Sequence, residues 1–215
     1  LASRRTLQLD EALTVGKKIG TALAATHRQG VVHRDVKPSN IFVVKSAPGI
    51  EELKLIDFGI AGMLGADAAE DSNARITRAG DMLGTLDYVS PEQLARVHIV
   101  DARSDQYALA AVLYECLSGN VPPISVRLAG PSHMLDLRKI VSGIPNGVAA
   151  TIEKALMPDP NDRYGTMEEF ILALVRDVPG FLEVPILTRP KPAAPVGPAT
   201  PPSVISRRRY ARAPY

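Results

Sequence analysis

Between Leu9 and His27, Leu9, Leu13, Gly16, Ile19, Gly20 and Leu23 recur at spacings of three and four. That period predicts a helix with one buried stripe, and Gly30 follows as a natural stop. The pattern then changes to short β-branched or apolar runs, Val31-Val32, Ile41 to Val44 and Leu53 to Ile56, with "KSAPGIEE" between the last two. Such runs, split by a Pro-Gly turn, predict a small hairpin. Residues 61 to 84, "AGMLGADAAEDSNARITRAGDMLG", sustain no period and predict a long exposed loop.

From there to about residue 177 the pattern is helical. "SDQYALAAVLYECLSG" (104 to 119) is apolar on nearly every side, which predicts a helix buried all round. Ser104 and Asp105 are its candidate capping groups, and Gly119 ends it. Further helical segments are "MLDLRKIV", "VAATIEKALM" and "TMEEFILALVRDV". Thr166 opens the last of these with Glu169 three residues on, a capping-box pattern. Residues 188 to 215 hold seven prolines and little that could pack, so they read as a Pro/Arg-rich tail or linker behind a domain spanning 1 to 187. The chain has no internal repeats.

Composition adds a few bounds. With 46% apolar residues over 215 positions the chain can build a real core. Its formal net charge of +2 conceals an asymmetry. Six of the 25 Lys and Arg lie in 188 to 215 with no Asp or Glu, leaving 19 basic against 23 acidic residues before them, a body charge of −4. The single cysteine, Cys116, excludes an internal disulfide framework, is compatible with a reducing compartment, and reads as a small core residue. No run approaches 18 apolar residues, and "LASRRTLQLDEAL" lacks the apolar block of a secretion signal. The expected location is cytoplasmic, and the initial Leu hints at a longer polypeptide.

Charge and polarity concentrate in "VVHRDVKPSN" (31 to 40). Asp35 and Asp57 stand at the ends of short apolar-flanked runs, with Lys37 and Asn40 beside the first. Together they supply a possible base, a cation and two hard oxygen ligands. That set suits phosphoryl transfer, where catalysis is mostly positioning and neutralisation of charge on phosphate oxygens. Magnesium favours one or two such oxygens plus phosphates and water, and Asp57 and Asn40 could provide them. His27, His98 and His133 have no partners at metal-ligand spacing and read as surface or satisfied core residues.

"HRDVKPSN" (33 to 40), "DFG" (57 to 59), "GTLDYVSPEQ" (84 to 93), "SDQYALAAVLYECLSG" (104 to 119) and "PNDRY" (160 to 164) resemble, in order and spacing, eukaryotic-type (Hanks-type) serine/threonine protein kinases, most closely bacterial members. The resemblance covers roughly residues 7 to 177 and the C-terminal lobe of that catalytic domain. It implies a mainly α fold with a small hairpin at the catalytic loop, and the family's β-rich N-terminal lobe absent from these residues. It implies ATP and Mg2+ as cofactors and protein Ser/Thr hydroxyls as acceptors. By the same resemblance Asp35 would accept or orient the hydroxyl proton, Lys37 would hold the γ-phosphate, and Asn40 and Asp57 would ligate magnesium. Phe42 would lie under the adenine, and Thr85 would bond to Asp35 and Lys37. Gly59 would let the backbone turn after Phe58. Glu92 would pair with Arg163, and Asp105 would hold the backbone around His33 and Arg34. Arg34 would clamp a phosphate in the 61 to 84 loop, with Thr77 the first candidate acceptor and Ser72 the second.

Residues 1 to 30 contain no Gly-rich loop, strand lysine or lysine-pairing glutamate for a nucleotide. The 215 residues alone are therefore expected to be inactive or very slow, with a lobe-facing apolar surface exposed. Two other readings stand beside the kinase. One is a noncatalytic kinase-like docking module. The other is a small-molecule phosphotransferase of the aminoglycoside or choline type, against which the long loop and "GTLDYVSPEQ" weigh, because they build a peptide platform. In the tail, "RRRYARAPY" places four arginines in six residues, few for either anionic lipid or nucleic acid, and a solvated linker is the expectation.

Overall fold

A computed structural model of the chain describes residues 6–47, 50–57, 86–95, 100–123 and 136–181. All of them belong to the unit Leu1–Val184. The fold is helix-rich, with one two-stranded sheet among the described residues.

Helix α1, Leu9–His27, opens with Glu11 accepting the free Gln8 N–H at 3.0 Å, and Asp10 and Glu11 lie in its positive first turn. Its buried stripe is Ala12, Leu13, Val15, Gly16, Ile19, Gly20, Leu23 and Ala24. A Cβ added at Gly16 would sit 2.7 Å from Leu174 Cδ2, and one at Gly20 2.8 Å from Ile171 Cγ1. The two glycines therefore set how closely α1 approaches its neighbour.

Strands β1, Ile41–Ala47, and β2, Ile50–Leu55, form the antiparallel hairpin, with Ile41 opposite Leu55 and an irregularity between Lys45 and Ala47. Val31 and Val32 join no strand. A single helical turn, α2, Pro91–Leu94, follows. Helix α3, Ala102–Ser118, is buried from Ser104 through Tyr114 without interruption. Its N-cap is Asp101, whose carboxylate accepts the Arg103 N–H at 2.8 Å. Ser104 and Asp105, expected as caps, instead lie inside the helix and point polar groups into the core, because α3 begins three residues earlier than its apolar pattern suggests. Gly119 ends it at φ 76, a left-handed conformation that glycine adopts without a Cβ clash.

The remaining helices are α4, Leu137–Ile140, α5, Asn146–Ala155, and α6, Met167–Val175. Thr166 caps α6 through the Glu169 N–H, but Glu169 reaches the Gly165 N–H at 2.9 Å rather than completing the box at Thr166. Helix α1 packs against α3 and α6, α5 packs against both α6 and α3, and β2 leans on α1. One continuous core results, with Tyr107, Leu109, Leu113, Ile152, Leu156 and Phe170 fully buried at its centre. Cys116 is part of it, and burial pushes its thiol up to about 11. Among the described residues no helix is long and apolar enough to cross a membrane.

Candidate active site

The loop from His33 to Asn40 leaves α1 and enters β1 through a 3₁₀ turn, Pro38–Asn40. Its first residues hang on one carboxylate. Asp105 Oδ2 accepts the His33 N–H at 2.8 Å, Oδ1 accepts the Arg34 N–H at 2.7 Å, and His27 Nε2 lies 2.8 Å from Oδ2. Asp105 is only 1% exposed, so these bonds compensate the burial of its charge. Arg34 is held at φ 67, outside the range that non-glycine residues normally adopt.

The next peptide carries Asp35, whose N–H points at His33 Nδ1 at 3.3 Å. An acceptor at Nδ1 places the proton of a neutral imidazole on Nε2. Burial lowers the His33 pKa, against the opposing charges of Asp105, Asp35 and Asp57 and the Ile56 backbone.

Asp35 is positioned from its own loop. Asn40 Nδ2 donates to its backbone oxygen at 2.8 Å and to Oδ2 at 3.0 Å, and Lys37 Nζ lies 2.9 Å from the same Oδ2. Oδ1 has no bond to a described residue. Using the Asn40 amide nitrogen twice fixes the side chain's orientation and turns its oxygen away from Asp35. The Ile56 N–H bonds to Asn40 O at 3.0 Å, extending the hairpin ladder by one rung, so Asn40 and Asp57 come to the same end of β1 and β2. Asp57 is exposed and stands at φ 57, a second left-handed non-glycine residue. An amide oxygen and an exposed carboxylate at one hairpin end fit a magnesium ion that takes its other ligands from phosphate and water. Among the described residues no cluster of three or more His, Cys, Asp or Glu forms a metal cage.

Further out, Phe42 is 47% exposed on β1 beside Val43. Glu92 and Arg163 form a buried bidentate pair, Nη1 to Oε1 and Nη2 to Oε2 both at 2.8 Å, with Ser104 Oγ donating to Oε1 at 2.6 Å. Arg163 spends its remaining donors on the carbonyls of Met157, Pro158 and Arg103, and its guanidinium lies over the Tyr107 ring. Thr85, Phe58, Gly59, Ser72, Thr77 and the 188–215 tail lie outside the described residues.

Some groups carry no local motif that reveals them. His27 joins Asp105 across 78 positions, and Gln106 bonds to both the Tyr164 N–H and the Tyr164 and Thr166 carbonyls. Tyr88 donates to Glu115 at 2.5 Å, and burial, that bond and the nearby carboxylate raise its phenol pKa. Only the folded chain brings such pairs together.

The helical body thus carries a loop carboxylate braced by a lysine and an amide, with an exposed carboxylate at the end of the adjoining hairpin, and its fold is protein-kinase-like. Residues 1–173 match the protein kinase domain family, and the chain belongs to it. It is 39% identical over 164 residues to serine/threonine-protein kinase PknB of Mycobacterium tuberculosis, covering 72% of this chain and 24% of that one. It is 37% identical over 169 residues to Pkn1 of Myxococcus xanthus, covering 75% and 23%. The crystal structure of the Mycobacterium tuberculosis PknI kinase domain aligns with a TM-score of 0.58 at 27% identity, over 80% of this chain and 56% of that one. The chain spans about a quarter of the length of these two curated relatives.

Proposed function

We propose that this chain is the C-terminal lobe of a serine/threonine protein kinase and transfers the γ-phosphate of ATP to protein Ser/Thr hydroxyls when a β-rich lobe supplies the nucleotide clamp. The observation that carries this is the fixed Asp35 carboxylate, with Lys37 and Asn40 on Oδ2 and Oδ1 left for a hydroxyl. Asp35 orients the substrate O–H and takes its proton as the oxygen bonds to phosphorus and the bond to the β-phosphate oxygen breaks. Lys37 sits between Asp35 and the incoming phosphate, where its charge offsets that of the γ-oxygens. Magnesium, when bound, neutralises phosphate charge, and Asn40 and Asp57 would hold it. Thr77, placed between Arg75 and Arg78 in sequence, is the proposed loop phosphate acceptor for Arg34, and Thr77→Ala should lower the rate of the phosphorylated enzyme.

The exposed Phe42, Val43 and Ile56 at the hairpin support the need for a second lobe, since they offer an apolar seat at the open side of the site. The test is label transfer from Mg-ATP to a basic protein by this chain fused behind the β-rich lobe of PknB. Phosphoserine and phosphothreonine should form, and Asp35→Asn should lower kcat by roughly 100- to 10,000-fold. A fusion that binds Mg-ATP yet transfers nothing would mean a docking module.

A further inference from the structure

The peptide that joins Arg34 to Asp35 sets where the Asp35 side chain starts from, and it follows a residue in a left-handed conformation that is unfavourable for a side chain with a Cβ. Without restraint Arg34 would relax to negative φ, and the peptide plane would swing with it. Asp105 restrains the far side, through the His33 and Arg34 N–H groups. The plane itself has two polar ends. Its N–H end meets His33 Nδ1 at 3.3 Å, a long bond. Its carbonyl end, Arg34 O, accepts from Gln93 Nε2 at 3.0 Å, 59 positions away.

Gln93 is itself fixed. Its Oε1 accepts the Ser90 N–H at 3.2 Å and the Ser90 hydroxyl at 2.9 Å, which settles the amide's orientation and sends Nε2 toward Arg34. Ser90 is fully buried, and the adjoining Glu92 is tied to Arg163 and Ser104. The turn Pro91–Leu94 is thereby anchored to α3, and Gln93 transmits that anchoring to the loop.

We propose that Gln93 is a positioning residue for Asp35, locking the Arg34–Asp35 peptide plane by its carbonyl while Ser90 locks Gln93. Its catalytic consequence rests on the phosphotransfer reading; its conformational consequence does not. Gln93→Glu separates the two jobs of the side chain. A glutamate keeps the acceptor for Ser90, and so keeps the turn, but presents an anion to Arg34 O where a donor stood.

The experiment measures amide hydrogen exchange, residue by residue, in the full 215-residue chain and in Gln93→Glu, with a urea titration of each and the kinetics of both in the PknB-lobe fusion. Exchange at Arg34 and Asp35 should quicken on the order of tenfold, as expected for one lost bond to a restrained peptide, and by more than at Leu109 and Ala110 in α3, with the urea slope unchanged. In the fusion kcat should fall with the KM for ATP unchanged. Exchange at Arg34 and Asp35 at the parental rate would overturn the proposal. So would exchange quickened by the same factor throughout α3, since Gln93 would then be a general brace. If Gln93→Glu does not fold, Gln93→Met replaces it and the same local comparison decides. A parental fusion without transfer would defeat the phosphotransfer reading and leave the exchange result to judge Gln93.

Discussion

Glu92 and Arg163 are both nearly inaccessible to water, so the energy at stake lies less in the pair than in the charge left behind when one partner is removed. Replacing Glu92 by Ala should lower stability by about 3–5 kcal/mol, read as a fall in the urea midpoint with an unchanged slope. His33 gives a pH signature of its own. Burial holds its folded-state pKa below the ordinary value of 6.5, so as pH falls the unfolded chain takes up a proton first. Its contribution is therefore full above about pH 6.5 and declines below it until the folded imidazole is protonated too. Burial alone would raise the Glu92 carboxyl, but the bonds from Arg163 and Ser104 outweigh it and lower its pKa, so a second loss follows below the ordinary carboxylate range. In His33→Phe the stability slope just below pH 6.5 should disappear while the one at lower pH remains. Unfolding midpoints at half-unit pH steps would check this.

At the scale of elements, the helices and the hairpin were legible because their apolar periods reflect which face meets the core. The stripe of α1 and the apolar runs of β1 and β2 are local facts. The start of α3 was misread because Ser104 and Asp105 are good capping residues by type, yet their oxygens serve Glu92 and the His33–Arg34 backbone. Capping propensity cannot tell a helix end from a buried polar staple. The site's polar residues were legible as one motif, since Asp35, Lys37 and Asn40 sit within six positions, whereas His27, Gln93 and Gln106 act across 58 to 78 positions and have no local signature. The glycines of α1 yield a further prediction. Ala at position 20 improves helix propensity by about 1 kcal/mol, but its Cβ meets the branch of a buried Ile171 at 2.8 Å, and overpacking typically costs 1–3 kcal/mol. Gly20→Ala should therefore be net destabilising by about 1 kcal/mol. Gly16→Ala should be milder, because it meets the far end of Leu174. Thermal melts of the two variants would rank them.

For the whole molecule, the balance between a well-packed helical body and an open hairpin face matters most. Phe42, Val43 and Ile56 present apolar surface beside the residues that would handle phosphate. Such a face should make the 215-residue chain self-associate with rising concentration, and Phe42→Ser with Val43→Ser should suppress this in sedimentation measurements. Phosphoryl transfer also needs its phosphates held in line, and in the proposed reading Asp35, Lys37, Asn40 and Asp57 would hold only one side of them. The most direct measurement compares Asp35-dependent phosphate transfer from labelled Mg-ATP by the chain alone and by the chain joined to a β-rich kinase lobe. Transfer confined to the joined form and lost in Asp35→Asn is the expected result. Equal transfer by the chain alone would contradict the need for a second lobe, and transfer that survives Asp35→Asn would contradict the site itself.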